Sequence, residues 1–331
     1  MDVTKSEVGA IAQRIPEWQL RVGSQRDWVW RGWQTRYTYV RAAQSNTQTS
    51  TPIILLHGFG TSIGHWRQNM AELGQHHTVY ALDMLGFGAS RKATADYKVD
   101  LWVAQVYEFW RTFIQQPVIL VGNSIGSLVC VAAAAAHPEM VKGITMLSLP
   151  DPSVREEAIP SWLRPVVATV EGIFANPALL KTAFYLVRRP AVVKKWAAIA
   201  YSNPAAVTDE LVDILTGPAL DRGSAQVFCA ILKAMASAQF GPKVTTVLSA
   251  LDIPMLLIWG LQDRMVPRSQ AKRFVDLNPK LQIVELENAG HCPHDECPEQ
   301  VNKILLDWIE AGNSDTSNTA APPHSAIPQQ Y

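Results

Sequence analysis

The amino-acid sequence predicts an α/β architecture: a mostly parallel eight-stranded sheet with helices on both faces and one inserted helical cap. Three observations carry this. Short apolar runs recur along the chain, stretches of helix length separate most of them, and the interval 151–247 contains no strand-like run.

Residues 1–26 are mixed and polar and read as a loosely held arm. Trp28–Trp30 and Thr35–Arg41 then alternate as two strands joined near Gly32, an antiparallel opening pair. The apolar runs follow at IILLH (53–57), TVYALD (78–83), VILVG (118–122), ITMLSL (144–149), MLLIWG (255–260) and IVELE (283–287). Helix-length stretches lie at 99–115, 124–137, 268–277 and 298–311. The sheet domain therefore comprises 27–150 and 248–311. The segment 151–247, punctuated by Pro160, Pro165, Pro177, Pro190 and Pro204, is too long for a loop and reads as a helical cap. Residues 312–331 are rich in Ser, Thr, Pro and Ala and read as a disordered tail.

Bulk properties narrow the function classes. A chain of 331 residues suits one large α/β domain with an insertion, and 48% hydrophobic against 18% charged residues describes a soluble globular protein. Lys+Arg and Asp+Glu balance at 29 each, so no nucleic-acid partner is expected. Four cysteines are too few for a disulfide scaffold and suit a reducing compartment. Cys292 and Cys297 bracket His294 in HCPHDEC, but the spacing does not fit a zinc knuckle and no second ligand pair exists. Neither metal nor cofactor is expected. The N-terminal run lacks the apolar core of a signal peptide, and no window is long enough to span a bilayer, which suggests a soluble or peripheral protein.

The sharpest chemical signal is Gly122-Asn123-Ser124-Ile125-Gly126, between the strand VILV and the helix-compatible run SLVCVAAAAA. That is the strand–turn–helix setting of an exposed serine nucleophile, with glycines permitting the sharp turn. A hydroxyl needs a base to take its proton. His291, in NAGHCPH after the last strand, stands on a loop above the carboxyl edge of the sheet, whereas His294 suits an anchor for the final helix. Asp263, after the strand MLLIW, is the expected acid that orients the base. Asp252 lies at the wrong end of that strand, and Asp83 in DMLGFGAS reads as part of a turn at the site wall. The chain order Ser124, Asp263, His291 is the one found on doubly covered sheets of this kind. His57-Gly58-Phe59-Gly60 closes the strand IILL. The backbone N–H groups of Phe59 and Ile125 are the expected pair that meets a developing oxyanion, and His57 reads as structural.

With these residues placed, the chain resembles the α/β-hydrolase superfamily from about residue 27 to 311 through HGFG, GNSIG, GLQDRMVP and NAGHCPHDECPE. A finer resemblance is to the pheophytinase and chlorophyll dephytylase branch of plants and cyanobacteria. It runs through WVWRGWQTRYTYV, HGFGTSIGHWRQN, DMLGFGAS and AGHCPHDECPEQVN. From these motifs Gly58, Trp66 and Asn123 are expected to bind substrate. Dehalogenases and epoxide hydrolases of the same fold carry an Asp nucleophile; serine at 124 would leave a stable ether with an alkyl halide, so acyl chemistry is favoured. The resemblance implies a serine carboxylic ester hydrolase that releases a long isoprenoid alcohol from a tetrapyrrole pigment, chlorophyll or pheophytin, at the cytoplasmic side of a thylakoid membrane. Between Pro160 and Ala200 the cap is apolar, with six Lys/Arg and one acid, Glu171, which suits a long apolar chain and an anionic membrane. The alternatives are a general lipase or esterase, a C–C bond hydrolase, or a ligand receptor that retains the triad.

Overall fold

Ile53–Leu56 are four consecutive, fully buried aliphatic residues, and a strand buried on both faces has to lie inside a sheet covered on both sides. The computed structural model, which describes residues 16–43, 50–152, 177–237 and 239–317, shows that sheet. Its strands are β1 (Ser24–Trp30), β2 (Trp33–Val40), β3 (Ile53–Leu56), β4 (Val79–Leu82), β5 (Val118–Asn123), β6 (Val141–Leu147), β7 (Met255–Gly260) and β8 (Leu281–Leu286). They lie in the order β1-β2-β4-β3-β5-β6-β7-β8. β2 pairs antiparallel with β1 and β4, and all remaining pairs are parallel. Arg31 (φ 50°) and Gly32 (φ 82°) turn β1 into β2; two consecutive left-handed residues give the turn whose twist matches a two-stranded ribbon.

Alternation along each strand divides the core in two. Ile54 and Leu56 face one cluster, together with Val99, Trp102, Val106 and Phe109 of the helix Val99–Phe113 and Leu128 of the helix Ile125–Ala136. Ile53 and Leu55 face the other, which holds Trp66, Met70 and residues Val301, Leu305 and Ile309 of the helix Pro298–Ser317. The spacing of 99, 102, 106 and 109 sets one helical face against the sheet.

Between β6 and β7 the described residues form only helices: Pro177–Val187, Pro190–Ala200, Asp209–Thr216, Ser224–Met235 and Val244–Ala250, with short 3-10 turns. Pro190 occupies the first turn of its helix, where no amide bond is lost, and the Thr208 hydroxyl accepts from Leu211 N–H to start the next one. Residues 153–176, with Pro160, Pro165 and Glu171, lie outside the described residues, as do 1–15 and 318–331.

The structure departs from the expected elements at three points. β1 begins at Ser24, inside the expected arm, because Ser24 to Trp30 pair continuously with Trp33 to Tyr39. The stretch 268–277 is not one helix: it splits into Arg268–Ala271 and a 3-10 turn Lys272–Phe274, and Asp276 turns left-handed (φ 62°). Pro279 keeps Asn278 out of the helical region, so the chain has to leave the helix early. The last helix continues past Gly312 to Ser317. Among the described residues no helix is long and apolar enough to cross a membrane.

Candidate active site

Ser124 stands between β5 and the helix Ile125–Ala136 with φ 54° and ψ −115°. A non-glycine residue rarely holds such angles, which cost about 1–3 kcal/mol and persist only where the surroundings enforce them. Here the Ser124 N–H donates to Leu147 O (2.9 Å), and Ser127 Oγ bridges Gly122 O (2.7 Å) and Leu147 O (3.0 Å). The flanking glycines are required by contact. A Cβ on Gly122 would lie 2.3 Å from the Gly126 carbonyl group, and one on Gly126 would lie 2.3 Å from Leu56 O.

His291 sits in the loop after β8. Its Nδ1 meets Asp263 Oδ2 at 2.9 Å, and the other carboxylate oxygen of Asp263 accepts from Met265 N–H and Val266 N–H, both at 2.8 Å. Two backbone donors fix the carboxylate, the carboxylate fixes the imidazole, and the Asp263 side chain is fully buried. This leaves Nε2 of His291 as the nitrogen available to a substrate-side proton. Among the described residues no hydrogen bond joins Ser124 Oγ to that ring; the two residues line one cavity.

The loop after β3 is set by His57. Met84 N–H donates to Nε2 (3.1 Å), so Nδ1 carries the proton and donates to Gly58 O (2.8 Å). Thr61 Oγ1 donates to the same carbonyl (3.1 Å). In a planar trans peptide the C=O and the following N–H point in opposite directions. Anchoring Gly58 O therefore aims the Phe59 N–H the other way. Burial lowers the His57 pKa to about 4, keeping this donor neutral. Asp83 braces the neighbouring walls, accepting from Ile63 N–H and Ala89 N–H (both 2.7 Å), and burial raises its pKa to about 6.

Gly58, Phe59, Asn123, Ser124, Ile125 and His291 all line one cavity of about 630 Å³. Cap residues Phe184, Val187, Trp196, Phe228 and Met235 form much of the opposite wall. Trp66 does not reach this cavity. It is fully buried beneath the sheet edge, its ring 4.2 Å from that of His294, because the 3-10 turn Ile63–Trp66 directs it into the core. Asn123 lines the cavity, yet its amide donates to His291 O (3.0 Å), so it also ties the Ser124 turn to the histidine loop. His294 is buried and bonded to His65 (3.2 Å), and is not a cavity residue.

Sequence reasoning missed the clamp on the histidine loop. The Glu296 carboxylate accepts from Gly290 N–H (2.9 Å) and from Ser202 N–H at the cap (2.6 Å), and His291 N–H donates to Ala200 O (2.7 Å). Tyr201 OH donates to Asp295 (2.6 Å) and meets His65 (2.9 Å). The acids Asp295 and Glu296 in HDEC were the available signal, but their partners lie some ninety positions away, as the separation of 94 residues for both pairs shows.

A model of the alpha/beta hydrolase fold family matches residues 51–298, and the chain belongs to that family. The chain is 26% identical to a chloroplast pheophytinase of Arabidopsis thaliana, over 83% of this chain and 64% of that protein. It is 23% identical to Lipase 3 of a Moraxella strain, over 76% and 75% of the two chains. Among solved structures, a serine hydrolase involved in carbazole degradation superposes with a TM-score of 0.70 at 20% identity, covering 87% of this chain and 99% of that one. At that identity the likeness is one of fold.

Proposed function

We propose that this chain is a serine carboxylic ester hydrolase acting on hydrophobic long-chain esters, with the phytyl ester of chlorophyll or pheophytin as the particular substrate. The observation that carries the reading is the opening of a strained Ser124 and an Asp263-paired His291 onto one largely apolar cavity. The likeness to pheophytinase supports the pigment ester as the specific choice.

In the proposed mechanism His291 takes the Ser124 proton as Oγ attacks the ester carbonyl carbon. The carbonyl oxygen becomes an oxyanion, held by the N–H groups of Phe59 and Ile125. His291 returns the proton to the departing alcohol oxygen as the C–O bond breaks, leaving an acyl-enzyme. Water, deprotonated by the same histidine, attacks the acyl carbon; the second tetrahedral species collapses to the carboxylic acid and restores Ser124. Asp263 holds the imidazole in the tautomer this needs and stabilises the imidazolium.

The test is incubation of the chain and its Ser124→Ala variant with chlorophyll, pheophytin and a panel of simple acyl esters. Wild type should release phytol, and the variant should lose about four or more orders of magnitude in turnover while remaining folded. Short esters cleaved without dephytylation would assign a general esterase. Stoichiometric modification without repeated turnover would point to a receptor.

A further inference from the structure

The cap helices Pro177–Val187 and Pro190–Ala200 lie at the cavity mouth and form an exposed face of unusual composition. Trp196 is 56% exposed and also lines the cavity, so it stands at the rim; Met265, 50% exposed, does the same from the sheet domain. Around Trp196, the large apolar side chains of Tyr185, Leu186 and Ile199 face solvent. Lys181, Arg189, Lys194 and Lys195 are exposed among them, and Arg188, beside the rim, lies over the Tyr185 ring at 4.5 Å. From Pro177 to Ala200 there are these five cations and no acid, in a chain whose net charge is zero. Among the described residues Lys194 pairs with Asp209 of the neighbouring helix at 2.7 Å, and Arg188 donates to Ala219 O at 3.3 Å.

Exposed aromatic and aliphatic groups interleaved with lysine and arginine are the composition of a helix surface that rests in a lipid interface. The apolar groups enter the acyl boundary and the cations stay with anionic headgroups. A protein partner of mixed charge would be met by both signs, and this face offers one.

We infer that this helix pair is a docking surface for an anionic lipid bilayer. It sets the cavity mouth, with Trp196 and Met265 at its rim, against the interface, so that an apolar ester passes from lipid to Ser124 without crossing water. Delivery to Ser124 rests on the ester-hydrolase reading, whereas docking itself is measurable without chemistry.

The experiment is co-sedimentation of the full chain with vesicles of phosphatidylcholine alone and with phosphatidylglycerol added, at low and high salt. Binding should require phosphatidylglycerol and weaken with salt. Each cation near such a surface changes partitioning about five-fold, so K181E/R189E/K195E should bind at least about 100-fold more weakly. None of these three residues lines the cavity, so that variant should keep its turnover of a soluble short-chain ester. A second variant, L186S/I199S, keeps every charge and should also lose vesicle binding. Ser124→Ala should sediment as wild type does, whatever the outcome of the activity assay. Equal partitioning to both vesicle types, or undiminished binding of K181E/R189E/K195E, would overturn the inference. So would a solution dimer that this charge variant dissolves, in a protein that ignores vesicles.

Discussion

At the scale of single residues, His57 is a buried histidine that sets the backbone of the loop after β3. Its tautomer is fixed by Met84 N–H on one side and Gly58 O on the other, and through that carbonyl it orients the Phe59 amide. His57→Ala should lower kcat by about 100-fold or more with a smaller change in KM, measured on a soluble ester. The same burial links stability to pH. Burial lowers His57 and His65 to about 4 in the folded chain, below their ordinary value of 6.5, and lowers His294 as well. The unfolded chain therefore binds more protons between pH 6.5 and 4, and stability falls as pH drops through that window. Asp83, raised to about 6, and Glu296, also raised, act in the opposite sense, but three histidines outweigh two carboxyls. Thermal melts from pH 7.5 to 4.5 should show a steadily falling Tm. That Ser124, Asp263 and His291 stand at the ends of β5, β7 and β8 was legible in the sequence because each follows an apolar run. Trp66 was not, because a motif gives a residue's neighbourhood and not the direction of its side chain.

At the scale of elements, the turn that carries Ser124 is a contact problem that glycine solves. Gly126→Ala would put a methyl against the Leu56 carbonyl, backbone on backbone, and should destabilise the fold by at least about 2 kcal/mol in denaturant melts. The histidine loop is held differently, by a carboxylate that gathers amides from two elements. Glu296→Ala strands the Gly290 and Ser202 N–H groups, at a cost of about 2 kcal/mol. It should also lower kcat on a short ester by about 10- to 100-fold through misplacement of His291. Strands wholly buried on both faces were read almost to the residue. The stretch 268–277 was misread because its ending depends on Asp276 and Pro279, local geometry that periodicity does not encode.

For the whole molecule, cap and sheet domain together wall the cavity onto which Ser124 opens. The sequence indicated where the chain leaves the sheet and returns, since β6 and β7 are plain apolar runs. It did not indicate which cap side chains turn inward, because helices packed on one another bury residues by shape more than by pattern. Phe184, Phe228 and Met235 fill the far wall, and each methylene placed against them contributes about 0.8 kcal/mol. For a series of straight-chain esters, kcat/KM should therefore rise by about four-fold per added carbon until the cavity is full. Met235→Trp should end that rise at a shorter chain.

The bond from His291 N–H to Ala200 O bears on how such proteins can be recombined. A graft that exchanged everything between β6 and β7 for a foreign insert would remove a carbonyl and an amide on which the His291 loop leans. The seam for a working chimera runs inside the insertion, leaving Ala200 to Asn203 with the recipient. Lineages that traded lids by recombination would be expected to carry their scars on either side of this short stretch and not through it.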